Sequence, residues 1–145
     1  MIGMKWIGLA LGIIALSVAI KKGQAKQALL AFVIGALYGF VIDVIGGDIL
    51  GLWSYKSSIY SASYFLLVVP GWGVFGMFIN IFWNQMVGKP WRAFICLTVG
   101  LFLVLEIPNL SVQSWTYTIP LWLVAIGWFP LVGTCRLFYI LSSDV

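Results

Sequence analysis

Three of the four acidic residues in this 145-residue chain, Asp43, Asp48 and Glu106, stand beside long apolar runs. Asp43 and Asp48 share the stretch IDVIGGDILGLWSY with three glycines, a tryptophan and a tyrosine. Clustered carboxylates repel when ionised, and partial burial disfavours charge further. If the three converge, one of them is expected to stay protonated near neutral pH. A carboxyl group held neutral can act as a general acid, which makes Asp43, Asp48 and Glu106 the candidate catalytic residues. Two other readings stay open. Carboxylates can gather a hard cation, or the three can simply be solvated by water and headgroups. Lys56 is the only cation near them in sequence.

The elements that must position these acids are read from hydropathy. The chain is 63% hydrophobic and 8% charged, with a mean hydropathy of +1.10. Soluble domains carry about 25% charged residues, so water is not the solvent of this one. Five apolar segments are long enough, or nearly so, to cross a bilayer core. They run roughly Trp6 to Ile20, Ala28 to Ile45, Ala62 to Trp83, Ala93 to Ile107 and Ile119 to Leu141. The first has features of a cleaved leader, with Lys5 before it and the small-x-small triplet Ser17-Val18-Ala19 within it. It is expected instead to be a membrane helix. The fold class is therefore all-α: a single domain over 1–145, an integral membrane bundle of five transmembrane helices. No internal repeat is visible.

Basic residues suggest how the bundle sits. Lys21, Lys22, Lys26, Lys89, Arg92 and Arg136 fall on one side if the spans alternate, and only Lys5 and Lys56 on the other. The richer side is expected in the cytoplasm, which puts the N-terminus outside and the C-terminus inside. Asp43, Asp48 and Glu106 then lie at the outer ends of the second and fourth segments, and only Asp144 is cytoplasmic. The scattered basic residues flank spans, so nucleic acid is not an expected partner. No histidine is present, which excludes His-based triads and metal sites. Cys96 and Cys135 show no CxxC spacing and are expected to be buried small hydrophobes. No cofactor is expected.

Packing signals come next. Ala31, Gly35, Gly39 and Asp43 recur every fourth residue, a small-residue stripe suited to close helix approach within the chain or to an oligomer face through Ala31, Gly35 and Gly39. The run VVPGWGVFGM predicts a kinked or broken third helix. Trp72, Gly76, Asn80 and Asn84 follow at the same spacing, so Asn80 either bonds a neighbouring helix or lines a ligand site. Trp6, Trp53, Trp91, Trp115, Tyr55 and Tyr117 are expected at headgroup level. Trp72, Trp122 and Trp128 are expected deeper, either lining an apolar pocket or packing. Gly46-Gly47 and Pro108 are read as ending the second and fourth helices, which leaves Asp43 and Glu106 at helix C-termini against the macrodipole.

The arrangement Asp43-x-x-Gly46, Gly51-x-Trp53-x-Tyr55 and Pro70 at the start of the next helix resembles the lycopene cyclase domain of carotenoid biosynthesis, over about residues 38–80. The family's acidic residues after the proline are replaced here by Gly71-Trp72-Gly73. Its members pair two such halves, whereas this chain reads as one unit with extra helices. The resemblance implies a protein that binds, or cyclises or hydrates by acid catalysis, a long apolar isoprenoid such as a carotenoid. Asp43, Asp48 and Glu106 would give the proton, and Trp53, Tyr55 and Trp72 would flank the polyene. The expected location is a bacterial or archaeal cytoplasmic (inner) membrane, with membrane lipid as the surroundings. The alternative is a non-catalytic subunit or assembly factor of a larger membrane complex; a small transporter or channel subunit is disfavoured, because no charge falls at a span midplane.

Overall fold

The computed structural model describes residues 3–86 and 88–143. Asp144, which the charge pattern assigns to the cytoplasmic side, lies outside them. Five helices are each long and apolar enough to cross a membrane. Helix α1 spans Met4–Lys21. Helix α2 spans Ala25–Ile42 and continues as a π-helical segment, Asp43–Ile49. A second π-helical segment, Tyr64–Val68, leads into α3, Val69–Gln85. Helices α4 and α5 span Pro90–Val112 and Leu121–Ser143.

Two helix ends differ from the sequence reading. Gly46 and Gly47 do not stop α2, because the backbone widens to π geometry and runs on to Ile49. Pro108 does not stop α4, which continues to Val112. In an apolar setting helical hydrogen bonds have no competition from water, so breakers are tolerated where neighbours supply other partners. Asp43 and Glu106 are therefore inside helical runs rather than at C-termini, and the expected conflict with the macrodipole does not arise. Pro70 does sit in the first turn of α3, where its missing N–H costs least. The irregularity expected around it is the π-helical turn just before.

The segments joining α2 to α3 and α4 to α5 are more than connections. They contain a two-stranded antiparallel ladder, β1 (Trp53–Tyr55) and β2 (Trp115–Tyr117). Trp53 pairs with Tyr117, Ser54 with Thr116 and Tyr55 with Trp115. Gly51, at φ 61°, makes the left-handed turn into β1, a conformation glycine adopts without steric cost.

Helix α3 is central and packs against the other four helices. The small-residue stripe of α2 is buried against it. A Cβ on Gly35 would lie 2.7 Å from the Gly76 Cα, so these two backbones touch. Within the chain, then, α3 covers Gly35 and Gly39. One apolar cluster joins Tyr38, Phe75, Ile79, Leu101, Trp128 and Val132. Another joins Ala15, Ala19, Ala28, Ala31, Met77 and Tyr139. Large apolar side chains such as Leu29, Leu37, Leu66 and Ile126 cover the outside, as expected where lipid replaces water.

Candidate functional site

Asp43 is fully buried and receives four hydrogen bonds from aromatic side chains. Its Oδ1 accepts from Trp53 Nε1 at 3.0 Å and Tyr55 Oη at 2.8 Å. Its Oδ2 accepts from Tyr64 Oη and Trp72 Nε1, both at 2.7 Å. Two glycines on the same helix face seat the indoles. A Cβ at Gly39 would fall within the Trp72 ring, and one at Gly46 within the Trp53 ring. The spacing Gly39-x-x-x-Asp43-x-x-Gly46 thus clears space one turn to either side of the carboxylate.

Glu106 repeats the arrangement on α4. It is 2% exposed. Its Oε1 accepts from Tyr117 Oη at 2.6 Å and Trp128 Nε1 at 3.1 Å, and its Oε2 from Trp115 Nε1 at 3.2 Å. Asn109, one turn further on, fixes Trp115 by accepting from its backbone N–H and donating to its carbonyl.

The two clusters are related through the ladder. Each half places an acid on a helix, then a Trp-x-Tyr strand. Trp53 and Tyr55 follow Asp43 by 10 and 12 residues, and Trp115 and Tyr117 follow Glu106 by 9 and 11. The half with the extra residue is the one whose helix opens into a π turn, which accommodates one residue more per turn. Side chains alternate across a strand. Ser54 and Thr116 accordingly point outward, their hydroxyls 3.0 Å apart, while Trp53, Tyr55, Trp115 and Tyr117 turn inward. The Tyr55 and Trp115 rings stand edge to face, centroids 6.5 Å apart. A repeat is therefore present where the sequence showed none, because its signal is only an acid and a Trp-x-Tyr.

Charge state follows from chemistry. An indole N–H can only donate, and each carboxylate faces two of them. The donor set suits the ionised form, which offers lone pairs in every direction. The Tyr55 phenol is held well above its usual range, first by burial and then by the charge of Asp43. Tyr117 is raised likewise by burial and by Glu106. Both phenols stay protonated and keep donating.

The remaining sequence candidates are placed differently. Asp48 is exposed and bonded only by Tyr60 Oη, at 3.2 Å, so it does not join Asp43 and Glu106. Lys56 donates to the Val112 carbonyl instead of a carboxylate. Asn80 is buried among α3 and α5, where it donates to the Gly76 carbonyl and accepts from Arg136; it does not reach the carboxylate clusters. Trp53, Tyr55, Trp115 and Tyr117 serve the carboxylates rather than an interfacial belt, which Trp6 and Trp91 fit by their exposure. Trp122 is 62% exposed rather than deep, whereas Trp128 is buried. Cys135 is buried as expected but Cys96 is exposed. Among the described residues no three His, Cys, Asp or Glu side chains gather.

Tyr64 has no signal in the sequence, and Trp115, Tyr117 and Gly39 carry roles there other than serving a carboxyl; Trp128, read as pocket-lining or packing, is a donor to Glu106. The doubled Trp-x-Tyr after a lone acid was the available signal. The chain matches no protein-family model, and no curated protein or solved structure matches it.

Proposed function

We propose that this is a membrane protein that binds a long apolar isoprenoid of the carotenoid kind, with the twin carboxylate–aromatic cluster at the end of the bundle outside the cytoplasm. The observation that carries the reading is that Asp43 and Glu106, both buried and both held by indole and phenol donors, are brought together by one Trp-x-Tyr ladder. A carotenoid end is a neutral hydrocarbon, so it would meet the aromatic rings around the two carboxyls by apolar and ring contact, worth about 0.5–1.5 kcal/mol per ring pair beyond the area buried. The apolar length of the ligand has lipid-facing side chains to lie along, including Leu66, Leu67, Ile107 and Leu110. The donor set suits ionised carboxyls rather than proton donors, so binding is favoured over acid-catalysed cyclisation. The second half-unit supports the likeness to lycopene cyclase domains, which pair two halves. Six basic residues at the end away from the strands support the outward orientation.

The test is reconstitution of the protein in liposomes with an acyclic carotenoid. The expected result is a polyene absorption band that co-purifies with wild type and Asp48→Asn, is lost in Glu106→Gln, and yields unchanged polyene on chromatography. A cyclised or hydrated product would replace binding by catalysis. A folded wild-type protein that retains no polyene, and migrates only within a larger native complex, would replace the reading by a subunit role.

A further inference from the structure

A different end of the molecule carries a second polar feature. Arg136 lies 15 residues beyond Leu121 on α5, roughly 22 Å along the helix from the strand end. Its Nη1 donates to Asn80 Oδ1 at 3.1 Å. The guanidinium lies 5.4 Å from the ring centroids of both Trp83 and Tyr139. Its Nε is buried with no hydrogen-bond partner. Two open pockets meet at this side chain. One, of about 460 Å³, is lined by Lys26, Gln27, Asn84, Tyr139 and Ser143 as well as Arg136. The other, of about 310 Å³, includes Trp83, Asn84 and Pro90.

A guanidinium within a membrane helix is costly and marks a functional site by default, and Arg136 lines both pockets with one Nη donor committed to Asn80. The described acids Asp43, Asp48 and Glu106 all belong to the strand end, so no described carboxylate balances Arg136 and Lys26. Two aromatic rings and Asn80 hold the guanidinium in place, and its uncommitted N–H donors suit an oxyanion. Gln27 and Asn84 add neutral donors from α2 and α3.

We infer that the larger pocket between α2, α3 and α5 binds a phosphate group, with Arg136 and Lys26 as its cations. The pocket is larger than one phosphate, so it has room for the head of a phospholipid as well as for a soluble phosphate or diphosphate. The site is independent of the carboxylate cluster and of any isoprenoid bound there.

Native mass spectrometry of the full chain from micelles doped with equal phosphatidylglycerol and phosphatidylcholine tests this, alongside phosphorus NMR with inorganic phosphate and diphosphate. Wild type and Arg92→Gln, whose residue lines neither pocket, are expected to retain one phosphatidylglycerol in preference to phosphatidylcholine. Arg136→Gln is expected to lose at least tenfold of that retention. Lys26→Glu, at an exposed position on the first turn of α2, is expected to lose several-fold while leaving the packing intact, and so decides the matter if Arg136→Gln does not fold. Saturable phosphorus line broadening by the soluble anions, absent in Lys26→Glu, would identify them as the source instead of lipid. Equal lipid retention in wild type and Lys26→Glu, with no binding of soluble anion, would overturn the inference.

Discussion

Trp53 and Tyr117 are cross-strand partners that donate to different carboxylates, Trp53 to Asp43 and Tyr117 to Glu106. Their neighbours Tyr55 and Trp115 repeat the relationship with the roles exchanged. Two residues of each strand therefore supply four of the seven side-chain hydrogen bonds to the two buried carboxyls, and the ladder joins the two sets.

Replacing Asp43 by Asn keeps the shape but puts an amide N–H₂ among donors. A tyrosine hydroxyl can turn to accept from it; an indole N–H cannot. At least one buried Trp donor is left unpaired, and the charge-assisted character of the remaining bonds is lost. The expected cost is about 2–4 kcal/mol. Asp48→Asn, at an exposed site, is expected to change stability by less than about 0.5 kcal/mol. Denaturant unfolding in detergent checks the contrast, and equal effects at the two positions would contradict it.

Gly39→Ala and Gly46→Ala push a methyl into Trp72 and Trp53 respectively. Each is expected to destabilise by about 1–3 kcal/mol through overpacking, with a change in tryptophan near-UV circular dichroism as the indole leaves Asp43. Gly47→Ala, whose Cβ would meet its nearest neighbour at 3.3 Å, is expected to be far milder. A silent Gly39→Ala would show that the indole seats are not needed.

How much of this was legible beforehand depends on the range of the interaction. The five spans could be read because hydropathy is a local property. The extensions past Gly46-Gly47 and Pro108 could not, because whether a breaker ends a helix depends on what surrounds it. The ladder was hidden for a further reason. Its strands are three residues long and sit 62 apart in sequence, and a Trp-x-Tyr near a span end looks the same whether it faces headgroups or a buried acid. Asp43 and Glu106 were visible by their scarcity. Asp48, five residues on, is exposed where Asp43 and Gly46 are buried, a difference that residue type alone does not carry.

Alkaline titration gives a third expectation. Tyr55 and Tyr117 are raised above the ordinary phenol value near 10. A group raised on folding stabilises fully below its unfolded value, and that contribution is lost as pH climbs through the folded one. At pH about 10, where a free phenol is half ionised, neither residue should contribute phenolate absorbance. Tyr55→Phe and Tyr117→Phe are expected to leave the absorbance at that pH unchanged. A drop of about half an equivalent for either would contradict the buried hydrogen bonds.

Gln113 holds a left-handed conformation, φ 51°, at the end of α4. A side chain there is strained by about 1–2 kcal/mol relative to glycine. Gln113→Gly is expected to be neutral to stabilising by up to about 1 kcal/mol despite the added flexibility of the unfolded chain, read as a rise in melting temperature. A clear fall would mean that the turn into β2 is held differently.

The charge of Asp43 and Glu106 decides between a binding site with fixed anions and one that delivers a proton, and infrared spectroscopy on protein labelled with ¹³C at the Asp and Glu carboxyls measures it most directly. Difference spectra of wild type against Asp43→Asn and against Glu106→Gln at neutral pH are expected to lose carboxylate stretching bands, with no loss in the protonated-carboxyl region. Loss of a protonated-carboxyl band in either variant would contradict the account, and would show that the cluster stores a proton.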